Sequence, residues 1–246
     1  MFALLLAVEG GGGLGEAWRS VVRGIEALGP RYPAVNRVIS LGLDVVIRRV
    51  GVRLSGVKGG RILDAGAGDG SLSKVIWEEV GRRRLYLVLL DPSERMLRMA
   101  RNSADWSGLD GVVGLLEYAP FRPSSLESAF MAFALRDVIH LSAAVERLSI
   151  ILKPGGVFTL IDIAKPDCGL ARQLFKIYWW VLAPLLVAST FSRAWREIRL
   201  IYTTFLLLPV ESELIKRLCR HFRLVRLRRI FLGGAHILVL KRLDSH

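Results

Sequence analysis

From Arg61 onward, short unbroken apolar runs alternate with segments whose apolar residues recur three and four positions apart. Runs of that length, bounded by glycine, proline and acids, predict buried strands at 61–65, 85–90, 112–116, 127–133 and 157–163. The spacing between them predicts helices over Ser71–Val80, Ser93–Asn102 and Ala143–Leu152, the last stopped by Lys153-Pro-Gly-Gly156. Strand and helix in alternation is the pattern of a doubly wound, mostly parallel α/β sheet. After a helix at Glu211–His221, two further strands, Leu224–Phe231 and His236–Lys241, meet across Gly233-Gly234 with no room for a crossover helix. They predict an antiparallel hairpin completing a seven-stranded sheet. Residues 16–58 read as an N-terminal helical section broken near Gly29-Pro30 and Pro33, and residues 167–208 as a helical, aromatic-rich insertion. Residues 1–15, with Gly10 to Gly13, are expected to form a flexible tail, and 16–246 one domain.

Composition adds a surface. The 246 residues carry a formal charge of +13, are 52% hydrophobic and have a mean hydropathy of +0.39. A basic, apolar-rich chain suits contact with an anionic membrane surface or a nucleic acid. An arginine-rich, heat-adapted surface explains the charge equally well, because Asn36, Asn102 and Gln173 are the only side-chain amides. Cys168 and Cys219 have no metal-ligand spacing and suggest no disulfide framework, so no metal and a reducing cytoplasm are expected. No segment is expected to span a membrane: Met1–Val8 is too short, and Ile177–Ala188 is limited by Lys176 and Pro184 below the roughly 20 residues needed.

Candidate chemistry sits in Arg61-Ile-Leu-Asp-Ala-Gly-Ala-Gly-Asp-Gly70. Gly66, Gly68 and Gly70 follow a strand and open a helix, where the backbone must turn sharply and admit a ligand without a Cβ in the way. Ser71 breaks the dinucleotide fingerprint, and the Gly-Lys-Ser/Thr ending of a triphosphate cradle is absent. Asp64, just before the loop, is placed to meet the ammonium end of S-adenosylmethionine directly or through water. Asp91 ends the second strand, where a carboxylate accepts both hydroxyls of an adenosine ribose. A loop cap for Asp64 and a turn before Pro92 for Asp91 are the plainer alternatives.

Further residues resemble one family, the C-methyltransferases of quinone biosynthesis that act on demethylmenaquinol and its ubiquinone-pathway counterpart. The leader Pro30-Arg-Tyr-Pro-Ala-Val-Asn-Arg-Val-Ile-Ser-Leu-Gly-Leu43 is similar to its Tyr, Asn and Ser-x-Gly. Pro120-Phe121, Phe133-Ala-Leu-Arg-Asp-Val138, Ile151-Leu-Lys-Pro-Gly-Gly156 and Ile161-Asp-Ile-Ala-Lys-Pro166 match its later motifs at the same spacing. The resemblance runs from Pro30 to the C-terminus, and the leader with Phe-x-Leu-Arg is its most specific part. Asp69 in place of Thr, Leu115-Leu116 beside the adenine and Ala132 in place of Ser depart from the pattern.

The resemblance implies a class I methyltransferase fold, S-adenosylmethionine as cofactor and a lipid-like quinol as substrate. It assigns Asp64, Gly66, Gly68, Asp69, Gly70, Asp91, Pro92, Met96, Leu116 and Glu117 to the cofactor. Arg136 is expected to stabilise a quinol oxyanion or order a water that takes the proton, with a salt bridge to Asp137 as the bland alternative. His140 is the expected base, with a helix-capping role as its alternative. Tyr32, Asn36 and Ser40 fit a helical spacing and are expected to roof the pocket. Phe175–Val187, with Tyr178, Trp179, Trp180 and Pro184, suggests a lid that lines a polyprenyl channel or dips into a bilayer; burial in a homodimer is the sober reading. Nucleic-acid methylation is not expected, because the fourth strand lacks an Asn/Asp-Pro-Pro-Tyr-type clamp for a flipped base.

Overall fold

The computed structural model describes residues 13–15, 18–81, 85–103, 109–191 and 195–244. Three helices come first: α1 (Trp18–Leu28), α2 (Tyr32–Ile39) and α3 (Asp44–Ser55). Then follow β1 (Gly60–Ala65), α4 (Ser71–Val80), β2 (Leu85–Asp91), α5 (Glu94–Asn102), β3 (Leu109–Val113), β4 (Leu126–Ala132), α6 (Leu141–Ile151) and β5 (Leu152–Ile163). The helical insertion is α7 (Gly169–Ile177), a π-helical turn Tyr178–Leu182, α8 (Ala183–Thr190) and α9 (Trp195–Leu207). The chain ends with α10 (Glu211–Leu218), β6 (Phe222–Ile230) and β7 (Ala235–Arg242).

Among the described residues the strands form one seven-stranded sheet in the order β3-β2-β1-β4-β5-β7-β6, parallel except where β7 pairs with β5 and β6. The order reverses between β1 and β4, and there the carboxyl ends of the strands leave the crevice in which such sheets bind ligands. Two apolar layers flank the sheet. Leu63, Phe158 and Leu240 belong to one, with α6 and α10; Ile62, Leu87, Phe130 and Trp77 belong to the other, with α3 and α4. Each such fully buried side chain contributes about 1.5–3 kcal/mol. A third cluster joins α2, α8 and α9 through Val35, Trp179, Ala183, Val187 and Phe205.

Several sequence expectations shift. The third strand is Leu109–Val113, not 112–116, because Leu109 pairs with Leu87 and the Gly114 amide turns onto Asp91 O at 3.1 Å. The apolar Leu115-Leu116 that suggested a strand instead enters a 3-10 turn. Lys153–Gly156 bulges out inside β5, whose partners jump from Leu126↔Leu152 to Ser128↔Val157. Pro33 does not break a helix: it sits in the first turn of α2, where its missing N–H costs nothing. The break expected near Gly29-Pro30 is there, where α1 gives way to a 3-10 turn at Gly29 (φ 49), and a second comes at Leu41 (φ 53) and Gly42 (φ 80). Pro184 does not limit the helical run either. Helix continues from Gly169 to Thr190, because the Ala183 amide reaches back five residues to Tyr178 O and the widened turn absorbs the proline. By length and composition alone these 22 residues suffice to cross a membrane, yet Trp179, Ala183 and Val187 pack one face onto the protein. Residues 1–12 of the expected tail lie outside the described residues. Leu14, by contrast, is buried and its amide donates to Val138 O at 2.8 Å.

Candidate functional site

Two cavities meet at the sheet's switch point. The first, about 90 Å³, is built on the glycine loop. Gly66 (φ 69) turns the chain where a Cβ would lie 2.5 Å from Ala134 Cβ, and the Gly66 and Ala67 amides donate to Leu90 O at 2.8 and 3.1 Å. Asp91 accepts the Gly68 amide on Oδ2 and the Ser93 amide on Oδ1, both at 2.8 Å. Burial pushes its carboxyl up to about 6 against those two bonds. Gly66, Gly68, Asp91, Pro92, Met96, Leu116 and Glu117 all line this cavity, as the sequence led us to expect.

The remaining cofactor candidates stand behind it. Asp64 is fully buried and accepts the Ser73 hydroxyl on Oδ2 at 2.5 Å, while its Oδ1 has no partner. Burial raises its carboxyl to about 7, opposed by Ser73 and by the charge of Arg48. Asp69 accepts the Ser71 amide at 3.1 Å and Gly70 (φ 79) caps α4; neither lines a cavity. They shape the loop. Glu117 accepts the Ile139 and His140 amides on Oε1 at 2.8 and 3.0 Å and keeps a buried, unpartnered Oε2.

One wall came without warning. Trp18, Val21, Val22 and Ile25 of α1 close the cavity, and Ser93 Oγ donates to Glu26 Oε1 at 2.5 Å to pin that helix beside Asp91. Their i, i+3/i+4, i+7 spacing was readable as an apolar stripe, but nothing local said what it faces.

The second cavity, about 260 Å³, presents a mainly apolar surface, with Asn36, Ser40, Asp44, Arg48 and Arg136 as its polar members. Tyr32, Asn36 and Ser40 come together on one wall, as expected, and Phe175, Tyr178 and Trp179 of the insertion form another. Tyr178 Oη donates to Ile39 O at 2.5 Å, tying the insertion to α2. Arg48 lies 4.9 Å from the centre of the Phe133 ring and donates to Asp44 at 3.2 Å. Tyr32 and Phe133 line both cavities, so they form the partition between them. Phe133 holds this place with φ 58, a strained backbone for an aromatic residue that no sequence pattern announces.

Arg136 is nearly buried at the second cavity's wall. Its Nη1 donates to Asp162 at 2.9 Å, its Nη2 lies 3.5 Å from Asp137, and its Nε has no partner. Although burial opposes its charge, Asp137 and Asp162 keep the guanidinium firmly protonated. Asp162 is satisfied three times over, by Arg136 and by the amides of Leu135 and Ile163. Asp137 is not. It lines the first cavity, has a buried Oδ1 without a partner among the described residues, and is pushed up to about 6 by burial despite the adjacent Arg136. His140 departs from expectation: its side chain is exposed at the start of α6 and lines neither cavity, because Glu117 holds its backbone rather than its ring.

The first cavity fits S-adenosylmethionine on its own chemistry. The orphaned Asp64 Oδ1 behind the loop calls for a cation or a bridging water, and a buried acid with spare lone pairs stands at the ribose position. Met96 and Leu116 offer apolar faces to a flat base. The comparisons agree. The model of the ubiE/COQ5 methyltransferase family matches residues 17–218. The ubiquinone/menaquinone biosynthesis C-methyltransferase UbiE of Pseudomonas aeruginosa PAO1 is 29% identical over 173 residues, 68% of this chain and 67% of that one. Its namesake from Pseudomonas putida KT2440 is 30% identical over 176 residues, with 68% and 67% covered. Among solved structures, a SAM-dependent methyltransferase from Aquifex aeolicus superposes with TM-score 0.61 at 16% identity, covering 91% of this chain and 98% of that one. Another, from Thermotoga maritima, gives 0.62 at 16%, covering 91% and 100%. The protein is an S-adenosylmethionine-dependent methyltransferase. With the sheet, the donor cavity and four-fifths of its length in agreement, the chain belongs to the ubiE/COQ5 methyltransferase family.

Proposed function

We propose that the protein methylates a ring carbon of a polyprenyl quinol precursor, of the demethylmenaquinol type, in quinone biosynthesis. The observation that carries this reading is the pairing of cavities. An acid-lined donor site shares Tyr32 and Phe133 with a larger apolar chamber that has a buried guanidinium on its wall. The chamber suits a flat ring with a greasy tail, and the names of the Pseudomonas relatives point the same way.

When bound, S-adenosylmethionine supplies a methyl group on a sulfonium, whose departing thioether is neutral and needs no acid. The protein's work is therefore on the acceptor. Arg136 stabilises the ring oxygen as an anion through charge-assisted hydrogen bonds. Asp137, with its free Oδ1, accepts the hydroxyl proton, and electron density moves onto the ring carbon. Once the new carbon–carbon bond forms, that carbon's own hydrogen leaves as a proton and the ring regains aromaticity. Tyr32 and Phe133 hold the ring against the donor cavity, which is the positioning on which a bimolecular transfer depends.

The test offers labelled S-adenosylmethionine with reduced demethylmenaquinone in detergent, other isoprenoid phenols and bulk RNA in parallel. Label on the quinol is the expected result. Label on RNA alone, or on a non-quinol lipid alone, would sink it.

A further inference from the structure

We propose that the mouth of the second cavity is a docking face for an anionic phospholipid bilayer, through which a tailed substrate enters without crossing water. The substrate clause rests on the reading above; the docking face stands on its own observations.

The mouth is framed by two turns and a helix. Leu41 and Phe231 both line the cavity and reach solvent, and Leu232 beside them is 88% exposed. All three have left-handed backbones, at φ 53, 53 and 52. Bulky side chains rarely adopt that conformation, and glycine, which adopts it freely, stands at the very next position in each turn, Gly42 and Gly233. Backbone strain that presents large apolar groups to water has no folding rationale; it marks a surface that is covered when the protein works. The helix between the turns continues the patch. Its inner face, Phe175, Tyr178 and Trp179, lines the cavity, whereas Leu170, Leu174 and Ile177 form an exposed stripe. Tyr178 ties it to α2, and Gly234 leaves room for the Phe175 ring, which a Cβ would approach to 1.9 Å. Both turns and the helix therefore form one continuous rim.

Charge selects the occupant. The three segments that frame the mouth, 29–43, 168–190 and 222–235, contain no aspartate or glutamate, and the acids at their edges, Asp44 in the cavity wall and Asp167, are held by Arg48 and Ser212. They carry Arg31, Arg37, Arg172, Lys176 and Arg228 among their cations. An apolar patch rimmed by cations suits acyl chains beneath anionic headgroups. A second copy of the chain would set those cations against themselves across a two-fold axis. One face of the 169–190 helix is packed onto α2 and α9, so it lies along the surface rather than across a membrane.

The full chain is sedimented with phosphatidylcholine vesicles, with and without phosphatidylglycerol. Binding to the anionic vesicles should exceed binding to the neutral ones by about ten-fold and weaken with salt. Leu232→Gly combined with Leu174→Gln should lower anionic-vesicle binding about ten-fold. Leu232→Gly relieves a strained backbone, so the melting temperature should hold or rise and misfolding cannot explain the loss. Turnover of a short-tailed, water-soluble quinol should be unchanged by the pair, while turnover of a long-tailed quinol in vesicles falls. Wild-type protein that turns over soluble quinol but ignores anionic vesicles overturns the docking face. So does a dimer in sedimentation velocity that Leu232→Gly dissociates and vesicles do not bind. Vesicle binding without methylation of any quinol keeps the docking face and overturns the substrate.

Discussion

The two cavities share a wall but are built on opposite principles. The donor cavity is small: its floor is one local unit, the glycine loop with the end of β2 and the start of α5, closed by α1 and by the ends of β3 and β4, with buried acids among its polar groups. The second chamber is nearly three times larger, mainly apolar in surface, and assembled from α2, α3, the β4 end, the insertion and the β6–β7 turn. Local backbone geometry builds the floor of the smaller cavity, and distant segments close it. A greasy ring and tail need enclosure, and enclosure requires elements far apart in sequence. The acids differ as well. Asp162 spends both oxygens on structure, whereas Asp64, Asp91 and Asp137 are held up to about 7, 6 and 6 by burial, which is how a site keeps acids available.

The contrast can be broken at its hinge first. Arg136→Ala should lower kcat by about 10²- to 10³-fold while donor affinity, measured by calorimetry, stays within about three-fold. Because it leaves Asp162 buried without its cation, it should also destabilise the fold by about 3 kcal/mol. Arg136→Lys keeps the charge and should fold, yet lose at least about ten-fold in kcat because the fork is gone. Donor and acceptor effects falling together would erase the division between the cavities.

Asp91→Ala acts on the other side. It removes a buried acid held by the Gly68 and Ser93 amides, and should weaken donor binding by about 100-fold with kcat at saturation little changed.

Asp137→Asn should cost about 10- to 100-fold in kcat and, more tellingly, change its pH dependence. With the acid present, kcat should rise as pH passes through about 6 and then level off, because the carboxylate is the active form. The amide cannot ionise, so the variant's profile should be flat there. A wild-type profile without that limb excludes Asp137 as the base.

Asp64→Asn sharpens the comparison with the smallest effect. The folded Asp64 carboxyl, at about 7, lies above the free side chain's value near 4, so the folded protein binds the proton more tightly than the unfolded chain. Its contribution is present in full below about 4 and is lost as pH rises toward 7. The amide keeps Ser73's bond without the buried charge. Thermal melts above pH 7 should show the variant more stable by about 1–3 kcal/mol, with donor affinity lower by about ten-fold.

Much of this molecule was legible beforehand. The strands at β1, β2 and β4, the helix Ser71–Val80 and the closing hairpin follow from apolar runs and glycine punctuation, since a buried strand or an amphipathic helix must show its period locally. That Gly66, Gly68 and Asp91 come together at one cavity was legible for the same reason, because they lie within one strand-loop-helix-strand unit. Departures came where a neighbour outvoted the local pattern. Leu115-Leu116 look like strand, but the register with β2 places the strand earlier. Pro184 looks like a stop, yet a π turn carries the helix past it. His140 has the chemistry of a base, but its side chain is exposed; Asp137, expected only as a salt-bridge partner of Arg136, does pair with it and also lines the first cavity.

By itself, then, the sequence determined the α/β class, the order of its elements and the donor loop, because those depend on hydrophobic period and on glycine's freedom over a few residues. Only the tertiary structure decided that α1 closes the donor cavity, that Tyr32 and the strained Phe133 separate the two chambers, and that Arg136 is flanked by one satisfied acid and one with an unpartnered oxygen. Those facts depend on contacts between distant segments, and a side chain's burial and charge are set by whatever the fold packs around it.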